Sequence, residues 1–339
     1  MYKEFKKYSK KEWLNTFRFE ENALKYLGTS TLPHIDDQQC IQTKTGSKKI
    51  LLSEKINLTN STNAQILNAL NGGANALTIS IQKQLIQTDF TAIFENVVIE
   101  IIRIDFDLND TIIITDFLNE FKKYLKENNY SSSKINISIN LKNPTYLLQY
   151  LGILPNLKFR ISQPLIEEEN DSQVIDLLVF AENILNENHQ NLNLKKIAKS
   201  ILFELHLSSQ IYWNIAKINT LKILWQNILK AYSIDADFFL KINIGNSPKA
   251  DPYQSIIDYT AQAITALNCG VNQIEIAPIL LNENLEISNR ITRNIQNILI
   301  YESQISPKNP ATEGSYFMDN LTKKYAEKVW KTFKNLKEK

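Results

Sequence analysis

The chain has 339 residues, 43% hydrophobic and 22% charged, enough to bury a large core in one or two domains. A net charge of +2 supplies no field for nucleic acid or a membrane surface. Two cysteines, Cys40 and Cys269, lie far apart in sequence and exclude a disulfide framework or a metal-ligand spacing; free thiols in a reducing compartment are the expectation. The opening residues are Lys-rich without an apolar signal core, and no apolar run reaches the length of a membrane span, so the expected location is the cytoplasm.

Residues 1–47 read as an N-terminal arm. Residues 3–13 are basic with interspersed aromatics and suggest a short surface helix, and the polar stretch that follows holds Gly28, Pro33 and Gly46 and lacks a core of its own. A basic aromatic start suits nucleic acid; a solvated helix or an arm that clasps a partner asks for less. From Ile50 strands and helices alternate. Strands are expected near 50–57, 76–81, 97–105, 134–141, 158–163, 201–208, 237–244 and 273–278. Helices are expected near 62–71, 83–93, 112–128, 144–151, 174–188, 211–232, 252–268 and 287–303, with a closing helix after that. Eight βα repeats predict an α/β fold over 48–339, a (β/α)8 barrel of TIM type with the arm before it and closing helices after it. An open doubly wound sheet is the structural alternative. Gly72-Gly73, Gly152 and Gly270 fall where helices end before strands, a capping position, so Gly72-Gly73 is not a phosphate loop.

The strands carry the most informative feature. Parallel barrel strands are usually apolar on both faces, yet several here alternate. Thr78 and Ser80 alternate with Leu77, Ile79 and Ile81; Asn136, Ser138 and Asn140 with isoleucines; Arg160 and Ser162 flank Ile161. Glu204, His206 and Ser208 alternate with Phe203, Leu205 and Leu207; Lys241 and Asn243 with Leu240, Ile242 and Ile244; Gln273 and Glu275 with Ile274 and Ile276. Period two places each polar set on one face. If helices cover the apolar outside, Ser80, Ser138, Arg160, Glu204, His206, Lys241, Asn243 and Glu275 point into the barrel. Charged residues of both signs there predict a lumen filled by its own ion pairs, one that does not admit a long ligand. An antiparallel sheet with a solvated face is the competing reading, disfavoured by the long helical connections.

Individual candidates for chemistry are thin. Glu167-Glu168-Glu169 offers a metal ligand or general base but reads more simply as an acidic helix start. Asp105 and Asp107 are expected to end the third strand, where barrel enzymes place catalytic groups or a cation, though turn and cap roles are commoner there. His206 beside Glu204 is an acid–base pair in outline, or a satisfied lumen contact. No nucleophile elbow, Cys–His pair or zinc spacing stands out.

The C-terminal stretch is more specific. Arg290, Arg293, Asn294 and Gln296 stand on one helical segment that ends at Glu302. Next comes a Pro310-x-x-x-Gly314-Ser315-Tyr316 loop, then Leu321-Thr322 and Ala326-Glu327-Lys328-x-Trp330. This pattern resembles the end of the barrel domain in the methylmalonyl-CoA mutase family, in its small, or beta, subunit above all. Weaker likeness runs upstream through 212–218, Leu224-Trp225 and 72–77. The sequence departs from the family pattern with Asn309 in place of Asp and a loop longer by one residue at Thr312-Glu313.

The resemblance implies a barrel lined by polar residues, part of an adenosylcobalamin-dependent isomerase that interconverts methylmalonyl-CoA and succinyl-CoA. In the family's catalytic chain a cobalamin-binding domain with an Asp-x-His-x-x-Gly motif follows the barrel. This sequence ends at Lys339, and His34, His189 and His206 stand outside any such motif. A barrel histidine of the catalytic chain is matched here by Arg160–Gln163, and the substrate-gripping segment has no counterpart before residue 50. The implied role is therefore a non-catalytic subunit, without metal, cofactor or catalytic residues of its own, paired with a large (alpha) catalytic subunit that binds the cobalamin. Arg290, Arg293, Asn294, Gln296, Gly314, Ser315, Tyr316 and Trp330 of the C-terminal pattern are then fold-defining. Two alternatives stay open: a catalytically active acyl-CoA mutase barrel served by a separate cobalamin-binding chain, and an unrelated lyase or aldolase barrel with Lys241 forming a Schiff base.

Overall fold

The computed structural model describes residues 50–58, 62–81, 89–108, 111–141, 146–162, 172–190, 193–245, 251–279, 285–305 and 315–338. The N-terminal arm, Glu167-Glu168-Glu169, His34 and Gly314 lie outside the described residues. Eight strands pair in parallel and in sequence order, and the last closes on the first. They are β1 (Leu51–Asn57), β2 (Ala76–Ile81), β3 (Arg103–Leu108), β4 (Asn136–Asn140), β5 (Lys158–Ser162), β6 (Ile201–His206), β7 (Leu240–Ile244) and β8 (Gln273–Ile276). The registers Leu52↔Ile274 and Ile242↔Ile274 bring β8 between β1 and β7 and complete the ring. The chain is a (β/α)8 barrel.

The outer layer follows from the same alternation. The helices are α1 (Thr62–Asn71), α2 (Phe90–Ile93), α3 (Thr111–Glu127), α4 (Leu147–Ile153), α5 (Ser172–Glu187), α6 (Leu194–Ser200), α7 (Ile211–Ala231), α8 (Pro252–Asn268), α9 (Leu285–Asn297) and α10 (Tyr316–Lys337). Outward-facing Leu77, Ile104, Ile139, Phe159, Leu205 and Ile242 are fully buried beneath them. Aromatic packing reinforces one side: Phe106 of β3 meets Phe117 edge-on at 4.9 Å, and Phe90 meets Phe121 at 5.1 Å. Each such ring is worth about 1.5–3 kcal/mol of burial. α10 crosses α7 and buries Leu321, Tyr325, Val329 and Phe333, a stripe at helical spacing.

Three local expectations need correction. The third strand starts at Arg103, not near residue 97. The run Val97–Ile102 is a set of turns, with Val98 and Ile101 55% and 79% exposed. Its apolar content imitates a strand, but its ends carry no ladder. Gly152 lies inside α4 and is no cap, whereas Gly73 and Gly270 have φ of +100° and +63°, as turns that leave a helix require. The final helix before the closing loop is α9 continued by one π-helical turn, Ile298–Glu302. Of the helix expected over 83–93, the described part is α2, capped by Asp89 through Thr91 N at 3.0 Å; the rest lies outside the described residues.

Candidate functional site

Two polar clusters stand out, one inside the barrel and one outside it. The inner one is centred on Asp105. Starting β3 at Arg103 turns Arg103, Asp105 and Asp107 inward, while Ile104, Phe106 and Leu108 face the helices. Asp105 is therefore mid-strand and fully buried, and the expected turn or capping role does not hold. Its Oδ1 accepts from Arg103 Nε at 3.0 Å and from Ser138 Oγ at 2.5 Å, and its Oδ2 accepts from Gln273 Nε2 at 2.7 Å. Arg160 and Lys241 bring further cations to 3.8 and 3.6 Å of Oδ2. Burial would raise this carboxyl, but Arg103, Arg160 and Lys241 together hold it well below the usual carboxylate range.

The network continues toward the C-terminal mouth. Arg160 donates to Asp107 and, at 3.1 Å, to the Phe106 carbonyl, and lies 3.6 Å from Glu204. Asn243 donates to Glu204. Lys241 donates to Thr78 Oγ1 at 2.7 Å and pairs with Glu275 at 2.8 Å; Thr78 and Ser53 both donate to Glu275. Lys55 pairs with Asp107 at 3.4 Å nearer the mouth, where Ser80 and His206 are half-buried. Arg103 spreads its guanidinium over the Phe239 ring at 4.4 Å. Four cations (Lys55, Arg103, Arg160, Lys241) thus meet four carboxylates (Asp105, Asp107, Glu204, Glu275). Burial would lower the Lys241 ammonium, yet Glu275, Glu204 and Asp105 raise it above its ordinary value. With its ammonium committed to Glu275, Thr78 and Asp105, Lys241 has no free amine to offer a carbonyl, which weighs against the Schiff-base alternative. His206 and Glu204 share the lumen face of β6, and the carboxylate is engaged with Arg160 and Asn243.

The outer cluster joins the two ends of the fold. Glu54 faces outward from β1, and Arg293 reaches it from α9, NH1 to Oε2 at 2.9 Å. Arg293 NH2 also donates to Asn68 of α1 at 3.0 Å, and Asn297 donates to the Gly72 carbonyl at 3.0 Å. A Cβ at Gly72 would stand 2.7 Å from Arg293 Nε, so the glycine makes room for the guanidinium. Above this pair lies an open cleft of about 340 Å3 between α1 and α9, lined by Glu54, Gln65, Asn68, Glu286, Asn289 and Arg293. Burial lifts the Glu54 carboxyl above its ordinary value, because Arg293 offsets only part of the desolvation.

The C-terminal pattern divides by face. Arg293 and Gln296 are buried in the α9 interface, while Arg290 and Asn294 point to solvent. Ser315 is the N-cap of α10, its Oγ accepting from Met318 N at 3.4 Å. Tyr316 is 43% exposed, and Trp330 stacks on Phe333 at 5.1 Å. Sequence alternation marked most of the lumen set but missed Arg103, Asp105, Asp107 and Lys55. A Gly72–Arg293 dependence left no local signal at all. Among the described residues no group of three or more His, Cys, Asp or Glu is placed to hold a metal ion, and no helix is long and apolar enough to cross a membrane. Cys269 is a buried free thiol, pushed up to about 12 by desolvation.

Residues 179–339 match the family model for methylmalonyl-CoA mutase. The small subunit of that enzyme from Porphyromonas gingivalis is 21% identical over 303 residues, 80% of this chain and 49% of the relative. A probable mitochondrial methylmalonyl-CoA mutase from Caenorhabditis elegans is 28% identical over 174 residues, 49% of this chain and 23% of the relative. Over the C-terminal stretch 179–339 the chain is similar to the methylmalonyl-CoA mutases. It spans about half the length, or less, of the curated mutases it matches. Among solved structures, a dihydropteroate synthase from Yersinia pestis aligns at a TM-score of 0.44 and 13% identity, covering 74% of this chain and 94% of that one. The synthase from Thermus thermophilus aligns at 0.42 and 11%, covering 77% and 96%. At those scores the likeness carries nothing about activity, whereas the mutase likeness covers α7, α9 and α10, the elements that hold Arg293 and Ser315.

Proposed function

We propose that this chain is the non-catalytic small subunit of a cytoplasmic, adenosylcobalamin-dependent methylmalonyl-CoA mutase, a barrel that stabilises a large catalytic subunit. Its units are an arm over 1–47 and a barrel over 48–339, with the cobalamin and the acyl-CoA held by the partner. The observation that carries this reading is the filled barrel axis. Asp105, Arg160 and Lys241 are 0%, 1% and 1% exposed along it. Threading an acyl-CoA chain through would separate buried pairs, each leaving an uncompensated charge at a cost of about 3–5 kcal/mol. The described residues do not fit the cofactor either. His189 ends α5 on the outside with Nδ1 2.7 Å from the Asn186 carbonyl, and Asp107, Glu204 and Asn243 at the mouth are engaged with Arg160 and with one another. The physical role is mass action: a partner that binds only the folded large chain shifts its folding equilibrium.

The test is co-purification. This chain, tagged, is expressed beside a large mutase chain, and the complex and each chain are assayed separately. The expected result is a one-to-one complex whose turnover tracks the large chain, with no cobalamin or CoA on this one. Methylmalonyl-CoA turnover by this barrel with only a separate cobalamin-binding chain overturns the reading.

A further inference from the structure

The last turn of α1 ends on a chemically reactive pair. The sequence contains one Asn-Gly dipeptide, Asn71-Gly72. An asparagine amide ahead of a glycine is open to attack by the following backbone nitrogen, because glycine has no Cβ to screen that nitrogen. Asn71 is the final residue of α1, and it is exposed. Two other asparagines at this junction differ from it. Asn68 accepts from Arg293 NH2 at 3.0 Å and precedes Ala69; Asn297 donates to the Gly72 carbonyl at 3.0 Å and precedes Ile298. Each has its amide in use and a Cβ on the residue that follows.

The fold explains both why the glycine stands there and why the pair is restrained. Gly72 leaves the room that Arg293 Nε fills, and Gly73 takes a φ of +100° to end the helix. The Gly72 N–H donates to the Asn68 carbonyl at 2.9 Å, while the N–H groups of Gly73 and Ala74 close the turn onto the Leu70 and Ala69 carbonyls, each at 3.1 Å. Attack on the Asn71 amide requires Asn71 to leave its helical backbone angles and Gly72 to give up its bond to Asn68. The last turn must therefore open before the reaction starts. Two side chains of α9 resist that opening from outside: Asn297 holds the Gly72 carbonyl, and Arg293 holds Asn68 and lies against Gly72.

We propose that Asn71-Gly72 is a site of spontaneous deamidation, gated by the clamp that Arg293 and Asn297 place on the end of α1. When the turn opens, the Gly72 nitrogen bonds to Asn71 Cγ and gives its proton to solvent, the Cγ–Nδ2 bond breaks, and ammonia leaves. Water then opens the succinimide at either carbonyl and yields aspartate or isoaspartate at position 71. One water enters and one ammonia departs, with no change of oxidation state. Either product puts a carboxylate at the C-terminus of α1, where the helix dipole disfavours it. Isoaspartate also adds a main-chain carbon just ahead of Gly72. There is no slack for that shift, since even an added Cβ at Gly72 would stand 2.7 Å from Arg293 Nε. Clamping and modification thus exclude one another: the clamped turn does not react, and the isoaspartyl turn does not clamp again.

The test ages the full-length chain at mildly alkaline pH and reads isoaspartate at position 71 by enzymatic methylation and peptide mapping. The same chain unfolded in urea supplies the ungated rate. The folded parent is expected to convert at least about tenfold more slowly than the unfolded chain. Asn297→Ala removes one bond to Gly72 and leaves the Glu54–Arg293 pair in place; it is expected to speed conversion in the folded chain by about threefold or more. Arg293→Ala is expected to speed it further, and all three chains should share one rate in urea. Asn71→Gln is expected to abolish the product with an unchanged melting temperature. In aged parent, the isoaspartyl fraction, separated by its added charge, should melt lower than the unmodified fraction. An unfolded chain that gains no isoaspartate at 71 overturns the site. A folded parent as fast as the unfolded chain overturns the gate, and a folded rate untouched by Asn297→Ala and Arg293→Ala overturns the clamp as its source. Fractions that melt together overturn the mutual exclusion.

Discussion

Glu275 in the lumen and Glu54 in the outer cleft are two carboxylates buried to the same degree, 7% and 6% exposed, and their proton affinities move in opposite directions. Burial disfavours ionisation of both. Glu275 meets Lys241 and hydroxyl donors from Thr78 and Ser53, and its carboxyl falls below its ordinary value. Glu54 meets one guanidinium, and its carboxyl rises. The difference is the number of donors and cations within reach, not depth. A region with as many cations as carboxylates balances its charge internally, even though Arg103 Nη2, Arg160 Nε and Nη1, Asn243 Oδ1 and Gln273 Oε1 are buried there without a hydrogen-bond partner. A region where a buried carboxylate meets a single guanidinium leaves that carboxyl easier to protonate. The inside of this barrel is the first kind of region and its outer face the second.

The largest break comes from removing the lumen's hub. Asp105→Ala leaves Arg103, Arg160 and Lys241 facing one another in the barrel axis without their shared anion. The expected loss is about 3–5 kcal/mol, read as a lower urea midpoint at neutral pH. A loss below about 1 kcal/mol would show that Asp105 does not anchor the network. A second variant set sharpens the point. Lys241→Met and Glu275→Leu should each destabilise, since each strands a buried charge. The double variant should cost clearly less than the sum, because an apolar pair of similar volume has no desolvation to recover. Additive losses would mean that the pair at 2.8 Å is not the unit that matters.

How much of this was legible in the sequence follows from the range over which each signal acts. Alternation is local, and where a strand's apolar and polar residues take strict turns, as over Ala76–Ile81, bounds and facing are readable. The third strand failed because Val97, Val98, Ile99, Ile101 and Ile102 supply strand-like content just before it. That shifted the expected strand upstream and left Asp105 and Asp107 at its end, so the network's most connected residue was misread as a turn former. Lys55 was missed on β1 because Leu51-Leu52-Ser53-Glu54-Lys55-Ile56-Asn57 places charged residues on both faces. Period two separates Glu54 from Lys55, but it does not say which of them is inside. That is decided by Arg293, 239 positions away, which nothing local to β1 announces. The C-terminal pattern was recognised as a pattern; its division into a buried clamp and a solvent face needed the helix in place.

A smaller break tests the clamp itself. Gly72→Ala puts a methyl 2.7 Å from Arg293 Nε, and Arg293 is held at both ends by Glu54 and Asn68. The guanidinium cannot move aside without losing one of them. The expected cost is about 1–3 kcal/mol, with little change at the lumen. In an Arg293→Ala background the same methyl should be nearly silent, since the atom it displaces is gone. Equal costs in both backgrounds would place the strain in the α1 backbone instead.

The smallest effect has the clearest sign. In the folded chain Glu54 holds its proton above its ordinary value of 4.5. The folded state therefore binds more protons than the unfolded one between 4.5 and the raised value, and this group's contribution to stability falls as pH rises through that interval. Asp105 and Asp107, held below their ordinary 3.8, and Glu275, held below its ordinary 4.5, act the other way: their contribution is complete above those values and fades as pH drops through the folded ones. Glu54→Gln keeps an oxygen for Arg293 and removes only the titration. Urea midpoints taken at a series of pH values should therefore separate the two regions. The gap between variant and parent should open as pH rises above 4.5 and stay constant once Glu54 is ionised, with the variant gaining relative to the parent. Below 3.8 both should lose stability in parallel, because the lumen is intact in each. A gap that widens in acid instead would mean that Glu54 behaves like a lumen carboxylate, already supplied with enough positive charge.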